Sequence, residues 1–224
     1  MTTFAQRTGG IPAHHPWTPA MSDLVFRVDA ALHQKPKRLV QFVSASRGEG
    51  VTEIASAYAR ASADLLHQRA LLVTTQVENM VQALPHNRQR GGDGNMVAAV
   101  GENISAKHFP LIHSLQNDCF ITGLPVSDAL VAETDASLKA GVWGELFQNF
   151  DEIVVDSPPP SQGNAGHAIA RLADGIVVVI EAERSREPVV RRFIHDLRMV
   201  GANIVGCVLS NRRYYIPQPI YRHL

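Results

Sequence analysis

Five short, almost unbroken apolar runs lie along the chain, at 39–43, 70–73, 153–155, 176–180 and 204–209. A strand that alternates polar and apolar residues needs a core on one face only. A run apolar at nearly every position must be covered on both. Between these runs lie stretches of helical period. In 52–68, Ile54, Tyr58, Ala61 and Leu65 fall on one face among several alanines. A later stretch places Val190, Phe193, Ile194 and Leu197 on one side, with Pro188 suited to its first turn and Gly201 to its exit. Strand, helix and strand in alternation build βαβ units with right-handed crossovers. The predicted fold class is therefore α/β, a mostly parallel sheet flanked by helices.

The rest of the chain arranges itself around this core. Gly9, Gly10, Pro12, Pro16 and Pro19 predict a flexible leader over 1–21. A helix is expected over 22–33, capped by Ser22 or Asp23, and one α/β domain over 22–210. Residues 111–114 and 119–122 read as two small strands. Leu138, Val142, Leu146 and Phe147 suggest a helix of about three turns, and 211–224 forms a separate tail. Gly91, Gly92 and Gly94 mark a loop in a middle third that carries little pattern. With 21 Lys+Arg against 21 Asp+Glu the net charge is zero, which argues against nucleic acid as the main partner. Cys119 and Cys207 are too far apart for a disulfide scaffold or a zinc knuckle. No apolar run reaches the length of a membrane span or of a signal-peptide core, so a cytoplasmic protein is expected.

In open α/β sheets, ligands collect at the carboxyl ends of the strands. Two such ends carry informative residues. Ser44-Ala45-Ser46-Arg47-Gly48-Glu49-Gly50-Val51-Thr52 follows a strand and opens a helix, the setting of a loop whose amides hold phosphate. Asp156 ends the run 153–155 before Pro158-Pro159-Pro160, where an acid commonly serves Mg²⁺.

With these motifs in place the chain resembles the bacterial capsular and exopolysaccharide tyrosine kinases, the CpsD/CapB family of P-loop proteins. The resemblance covers roughly 22–224. It rests on Ser44 with Gly48-Glu49-Gly50, on 150–159 around Asp156, and on Leu172-Ala173-Asp174-Gly175. The fourth piece is 201–209 followed by Asn211. It implies a P-loop NTPase-like fold, with Arg47, Gly48, Glu49, Gly50, Val51 and Thr52 at the nucleotide and Thr52 and Asp156 on the Mg²⁺ side. It also implies a role in synthesis or export of a capsular, exo- or holdfast-type polysaccharide. The implied partner is a membrane protein controlling chain length, a co-polymerase, within homo- or hetero-oligomers at the inner face of the membrane.

Departures from the family pattern bear directly on phosphoryl transfer. Val51 stands where the family has the lysine that reaches the β and γ phosphates, so charge-assisted hydrogen bonds of about 1.5–3 kcal/mol each are forfeited. Thr74 and Gln76 stand where the family has a metal-side Asp-x-Asp pair, and Ala165 where it has a further aspartate. Leu24 replaces the glutamate of an oligomer-contact motif that keeps Phe26 and Arg27. Only Thr52, Asp156 and backbone amides remain to hold ATP and Mg²⁺, which predicts a degenerate site and a pseudokinase that acts as a regulatory or scaffold subunit. The alternative is an active ATP-dependent protein-tyrosine kinase in which Arg47 replaces the lysine, Asp156 is catalytic, and Tyr214, Tyr215 or Tyr221 is autophosphorylated. A third option, a MinD/ParA-type ATPase, lacks a basic amphipathic terminal helix and the signature lysine at Ser46.

Other reactive residues have structural readings. His14-His15 is the one close histidine pair, and no His-Glu-x-x-His spacing occurs. Ser44, Ser46 and Ser157 sit in no nucleophile elbow. Asp174 is read as a turn residue before its strand, Cys119, Cys207, Trp143 and Phe147 as core, and Glu49 as a solvated loop carboxylate.

Overall fold

The protein is described from a computed structural model, over residues 2–3, 18–33, 35–76, 112–116, 118–123, 142–163 and 165–211. In chain order the elements are β1 (Thr2–Thr3), α1 (Pro19–Leu32), β2 (Arg38–Ser44), α2 (Val51–Leu66) and β3 (Ala70–Thr74). Then come β4 (His113–Gln116), β5 (Cys119–Gly123), α3 (Val142–Asn149), β6 (Glu152–Asp156) and a short 3₁₀ turn (Pro160–Gln162). The order closes with α4 (Ala165–Ala170), β7 (Gly175–Glu181), α5 (Glu187–Met199) and β8 (Ile204–Ser210). The loop expected at Gly91, Gly92 and Gly94, the helical residue Leu138 and the tail from Arg212 onward lie outside the described residues. Of 1–21, only 2–3 and 18–21 fall inside them.

These strands form one eight-stranded sheet in the order β1-β8-β7-β2-β6-β3-β5-β4, parallel throughout except for the antiparallel β4–β5 pair. The expected mostly parallel α/β architecture is thus present. Its central strands are buried at every position: all of β2, β3, β5 and β6. Alternate residues feed opposite cores, as strand pleating requires. Val40, Phe42, Leu72, Val154, Val177 and Val179 pack with α1 and α2. Leu39, Leu71, Val73, Ile153 and Val155 pack with Trp143 and Leu146 of α3. Val43, Ile176 and Val178 pack with Phe193 and Leu197 of α5.

Some element ends differ from the sequence reading, each for a local reason. Helix α1 begins at Pro19 rather than near Ser22, because the Thr18 side chain accepts from the Met21 amide and proline suits the first helical position. The first small strand is His113–Gln116, shifted from 111–114.

At the amino ends of β2 and β6 lies a buried polar cluster. Arg38 Nε donates to Glu152 Oε1 at 2.7 Å, and Tyr58 Oη donates to the same oxygen at 3.0 Å. Ser62 Oγ donates to Glu152 Oε2. Arg38 Nη1 reaches Asp29 Oδ1 at 2.6 Å, so α1, β2 and β6 meet at one guanidinium and α2 joins them through Glu152. At the same end Asp174 is buried, accepting from the Leu39 amide at 2.8 Å and pairing with Lys35 at 2.6 Å. It holds the start of β2 beside β7, the structural part expected of it.

Candidate functional site

The opposite, carboxyl ends of β2, β3, β6, β7 and β8 converge on the loop from 45 to 50. Gly48 and Gly50 adopt φ of 79° and 83°, left-handed backbone that a side chain would strain. Gly50 is the residue preceding α2, and no side chain caps that helix start. Residues 47 and 48 form a tight turn, and the Ser46 amide donates to Glu49 Oε2 at 3.3 Å. The loop thus lies at the positive end of a sixteen-residue helix whose first amides have no side-chain cap, a setting that favours an anion.

Val51 opens this helix with 8% exposure and belongs to the apolar cluster that includes Phe42, Ile54 and Val208. The position where the resemblance calls for an ammonium group thus serves the core. Thr52, one residue on, is half-buried and points its hydroxyl to Asp156 Oδ2 at 2.9 Å. Thr74 Oγ1 donates to the same oxygen at 2.6 Å. Gln76 completes the group: its amide donates to Thr74 Oγ1 at 3.1 Å and its side chain Nε2 to Thr52 Oγ1 at 3.4 Å. Burial pushes the Asp156 carboxyl above its ordinary value; the bonds from Thr74 and Thr52 pull it back, and the charge of Glu53 adds to the rise.

This cluster shows what Thr74 and Gln76 do. A second carboxylate at 74, this close to Asp156, could not ionise alongside it without a cation between them. A hydroxyl satisfies Asp156 with no cation. Thr52 and Asp156 fit the side of a site where Mg²⁺ would sit. Val51 offers no positive charge to a triphosphate, and Thr74 and Gln76 offer no carboxylate to a metal ion. Among the described residues no group of three His, Cys, Asp or Glu side chains could hold a metal.

Glu49 is not the solvated carboxylate expected from its place in a loop. It is buried, accepts from Ser185 Oγ at 2.5 Å and from the Ser46 amide at 3.3 Å, and its carbonyl accepts from Ser210 Oγ at 2.7 Å. Its partners come from the turn after β7 and from the end of β8, far away in sequence. The same turn contributes Arg184, which sequence reasoning missed. Arg184 Nη1 donates to Gly48 O at 3.2 Å and to Glu181 Oε2 at 2.8 Å, and Nη2 donates to Arg47 O at 3.5 Å. Asn211, part of the fourth motif, donates to Glu181 Oε1 at 3.0 Å.

The remaining candidates fall as follows. Arg47 is exposed on the loop. Ser44 Oγ donates to Ser46 O within the turn, and Ser157 is buried, accepting from Gln41 Nε2 at 2.8 Å. Ala165 is the first residue of α4. Phe26 is 51% exposed beside Arg27, which pairs with Asp23, while Leu24 is buried. Cys119 and Trp143 are core residues; Cys207 and Phe147 are only half-buried. Tyr214, Tyr215 and Tyr221 lie outside the described residues.

Comparison with known proteins bears on the fold. No family model matches the chain. A putative tyrosine-protein kinase CapB from Staphylococcus aureus is 32% identical over 91 residues, 38% of this chain and 40% of that protein. The match thus spans about two fifths of the relative. Among solved structures, the chimerical protein CapA2B2 superposes with a TM-score of 0.72 at 17% identity, covering 95% of this chain and 94% of that one. The kinase domain of the Escherichia coli tyrosine kinase ETK gives 0.65 at 16% identity over 96% and 86%. The chain has the P-loop NTPase-like fold, and over the matched stretch it is related in sequence to a tyrosine-kinase-like protein.

Proposed function

We propose that this chain is a non-catalytic, kinase-like regulatory subunit in the synthesis or export of a bacterial surface polysaccharide. The observation that carries this reading is the pairing of a core-packed Val51 with the neutral Thr74 and Gln76 around Asp156. The loop amides still offer an anion cradle. The lysine that would draw charge off a γ-phosphate, and the carboxylates that would hold a metal ion to do the same, are replaced by groups that stabilise the fold instead. In this reading the domain binds the cytoplasmic end of a membrane co-polymerase, and related active subunits, and sets their state of assembly. The exposed Phe26 and Arg27 of α1 are the docking residues it would use. No helix of the described residues is long and apolar enough to cross a membrane, so attachment would pass through that partner.

The test compares chemistry with output. Purified protein incubated with Mg²⁺ and γ-labelled ATP is expected to release no phosphate above background and to label none of Tyr214, Tyr215 and Tyr221. In cells, Thr52→Ala and Asp156→Asn are expected to leave polymer yield unchanged, while Phe26→Ala with Arg27→Ala lowers it. The competing reading, an active tyrosine kinase, draws on the intact Thr52–Asp156 bond at 2.9 Å. Label on a tail tyrosine that Asp156→Asn abolishes would establish it and refute ours.

A further inference from the structure

Helix α5 carries a cluster of cations that the site at the carboxyl ends of the strands does not use. From its cap to its last turn, Arg186, Arg191, Arg192 and Arg198 stand against Glu187 and Asp196, with His195 among them. The chain as a whole is neutral, so positive charge is concentrated here. All four arginines and His195 are exposed. Elsewhere Arg27 pairs with Asp23 at 2.7 Å, and Arg184 with Glu181 at 2.8 Å. On α5 only Arg191 has such a partner, reaching Glu187 at 2.7 Å. Arg186, Arg192 and Arg198 form no ion pair with any described residue.

The helical period decides where these side chains stand. Val190, Phe193 and Leu197 are the buried residues of α5, and Phe193 and Leu197 pack on Val43, Ile176 and Val178 of the sheet. The line directly opposite them runs through Pro188, Arg192, His195 and Met199. Met199 is 73% exposed, and Val189, next to this line, is 45% exposed. Arg191 and Arg198 flank the line on one side, Val189 and Asp196 on the other. The outermost ridge thus holds cations and an apolar tip, and no carboxylate. Helix α5 covers the sheet face opposite to α1, so this ridge and the Phe26–Arg27 pair lie on opposite sides of the domain.

We propose that the outward ridge of α5 rests directly on an anionic lipid surface, with Arg192 and Arg198 among the headgroups and Met199 entering between them. Charge complementarity selects this occupant. Guanidinium groups that hold no ion pair within the protein give up none on meeting a negative surface. A duplex nucleic acid offers similar charge, but its phosphate backbone has no place for an exposed methionine. The boundary between headgroups and acyl chains accepts an apolar side chain beside a basic one. The contact is peripheral, because the apolar side of α5 stays in the core. It goes beyond the regulatory reading: it adds a direct lipid contact to an attachment held by a partner, and leaves α1 free for that partner.

The test is co-sedimentation of the full chain with vesicles of equal parts phosphatidylserine and phosphatidylcholine, against vesicles of phosphatidylcholine alone. The parent is expected to bind the anionic vesicles only, and less tightly as salt is raised. Arg192→Ala and Arg198→Ala are each expected to weaken binding about fivefold, the scale of one basic side chain at such a surface. Met199→Ser should weaken it severalfold, with a loss that persists at high salt. Arg27→Ala removes the same charge from the opposite face and should leave vesicle binding unchanged. All of these side chains are exposed, so the variants keep the fold, which far-ultraviolet circular dichroism checks. Failure of the parent to prefer anionic vesicles would overturn the proposal. So would parent-like binding by Arg192→Ala with Arg198→Ala, or an equal loss in Arg27→Ala. Duplex DNA bound more tightly than the vesicles, with Met199→Ser indifferent, would assign the ridge to nucleic acid instead and overturn it too. None of these results touches the regulatory reading, which fails on turnover or tyrosine labelling.

Discussion

Replacing Glu152 by glutamine separates the two halves of the site's support from the site itself. Glu152 has no exposed surface, and it accepts from Arg38, Tyr58 and Ser62 at once. The amide keeps the shape, removes the charge, and turns an NH₂ toward groups that donate. Arg38, 2% exposed, would keep Asp29 and Gln68 but lose its only fully buried counter-charge. Removing one partner of a buried pair costs about 3–5 kcal/mol. Because Asp29 remains, the lower half of that range is expected, roughly 3–4 kcal/mol. Against a total stability of about 5–15 kcal/mol, such a loss is large. Urea unfolding followed by circular dichroism should show the midpoint falling by about 1–2 M with an unchanged slope. Arg38→Met combined with Glu152→Met should cost less than the sum of the two single changes, since neither charge is then stranded. A loss under about 1 kcal/mol for Glu152→Gln, or strict additivity in the cycle, would refute the coupling drawn here.

Other outcomes follow from the same contacts. Thr74→Val removes the 2.6 Å bond to Asp156 and should raise further a carboxyl that burial already lifts, seen by carboxyl ¹³C titration. A folded value above the unfolded one means a penalty absent at low pH. Stability should therefore fall as pH rises from the ordinary aspartate range through the raised value, and more steeply in Thr74→Val than in the parent. Val51→Lys should lower stability by about 1.5–3 kcal/mol in thermal melts, by taking a buried apolar side chain out of the core. It should still release no phosphate from Mg-ATP, because Thr74 and Gln76 remain uncharged; turnover in that variant would contradict this account of the site. Asp174→Asn should cost about 1–3 kcal/mol, since it weakens the acceptor for the Leu39 amide and leaves Lys35 without its pair.

The central strands were legible because both of their faces are covered. Residues 39–43, 153–155 and 176–180 carry the mark of double burial in their composition, and each is a strand. The start of α1 was harder to place: Thr18 caps it, but the glycines and prolines upstream read as one irregular leader that swallowed Pro19. Glu49 and Arg184 show a deeper limit. A carboxylate between two glycines and an arginine in a turn have no periodicity to read. Their roles depend on pairings across 136 residues that only the sheet order creates. Thr74 and Gln76 were legible as losses. That they form a hydrogen-bonded replacement around Asp156 became visible only when β3 was seen beside β6.

The alignment of the sheet sets a tolerance on everything at its carboxyl edge. Asp156 lies level with Phe42 on one neighbour and Thr74 on the other. It shares its face with Glu152 and Val154, the side packed by α2, where Thr52 waits. Because successive strand residues point to opposite sides, inserting or deleting a single residue within β6 would swing the carboxylate through the sheet to the side of α3. No rotamer change could bring it back. Natural variants of this domain should therefore exchange side chains freely at the rim, yet keep the spacing between Glu152 and Asp156 constant to the residue.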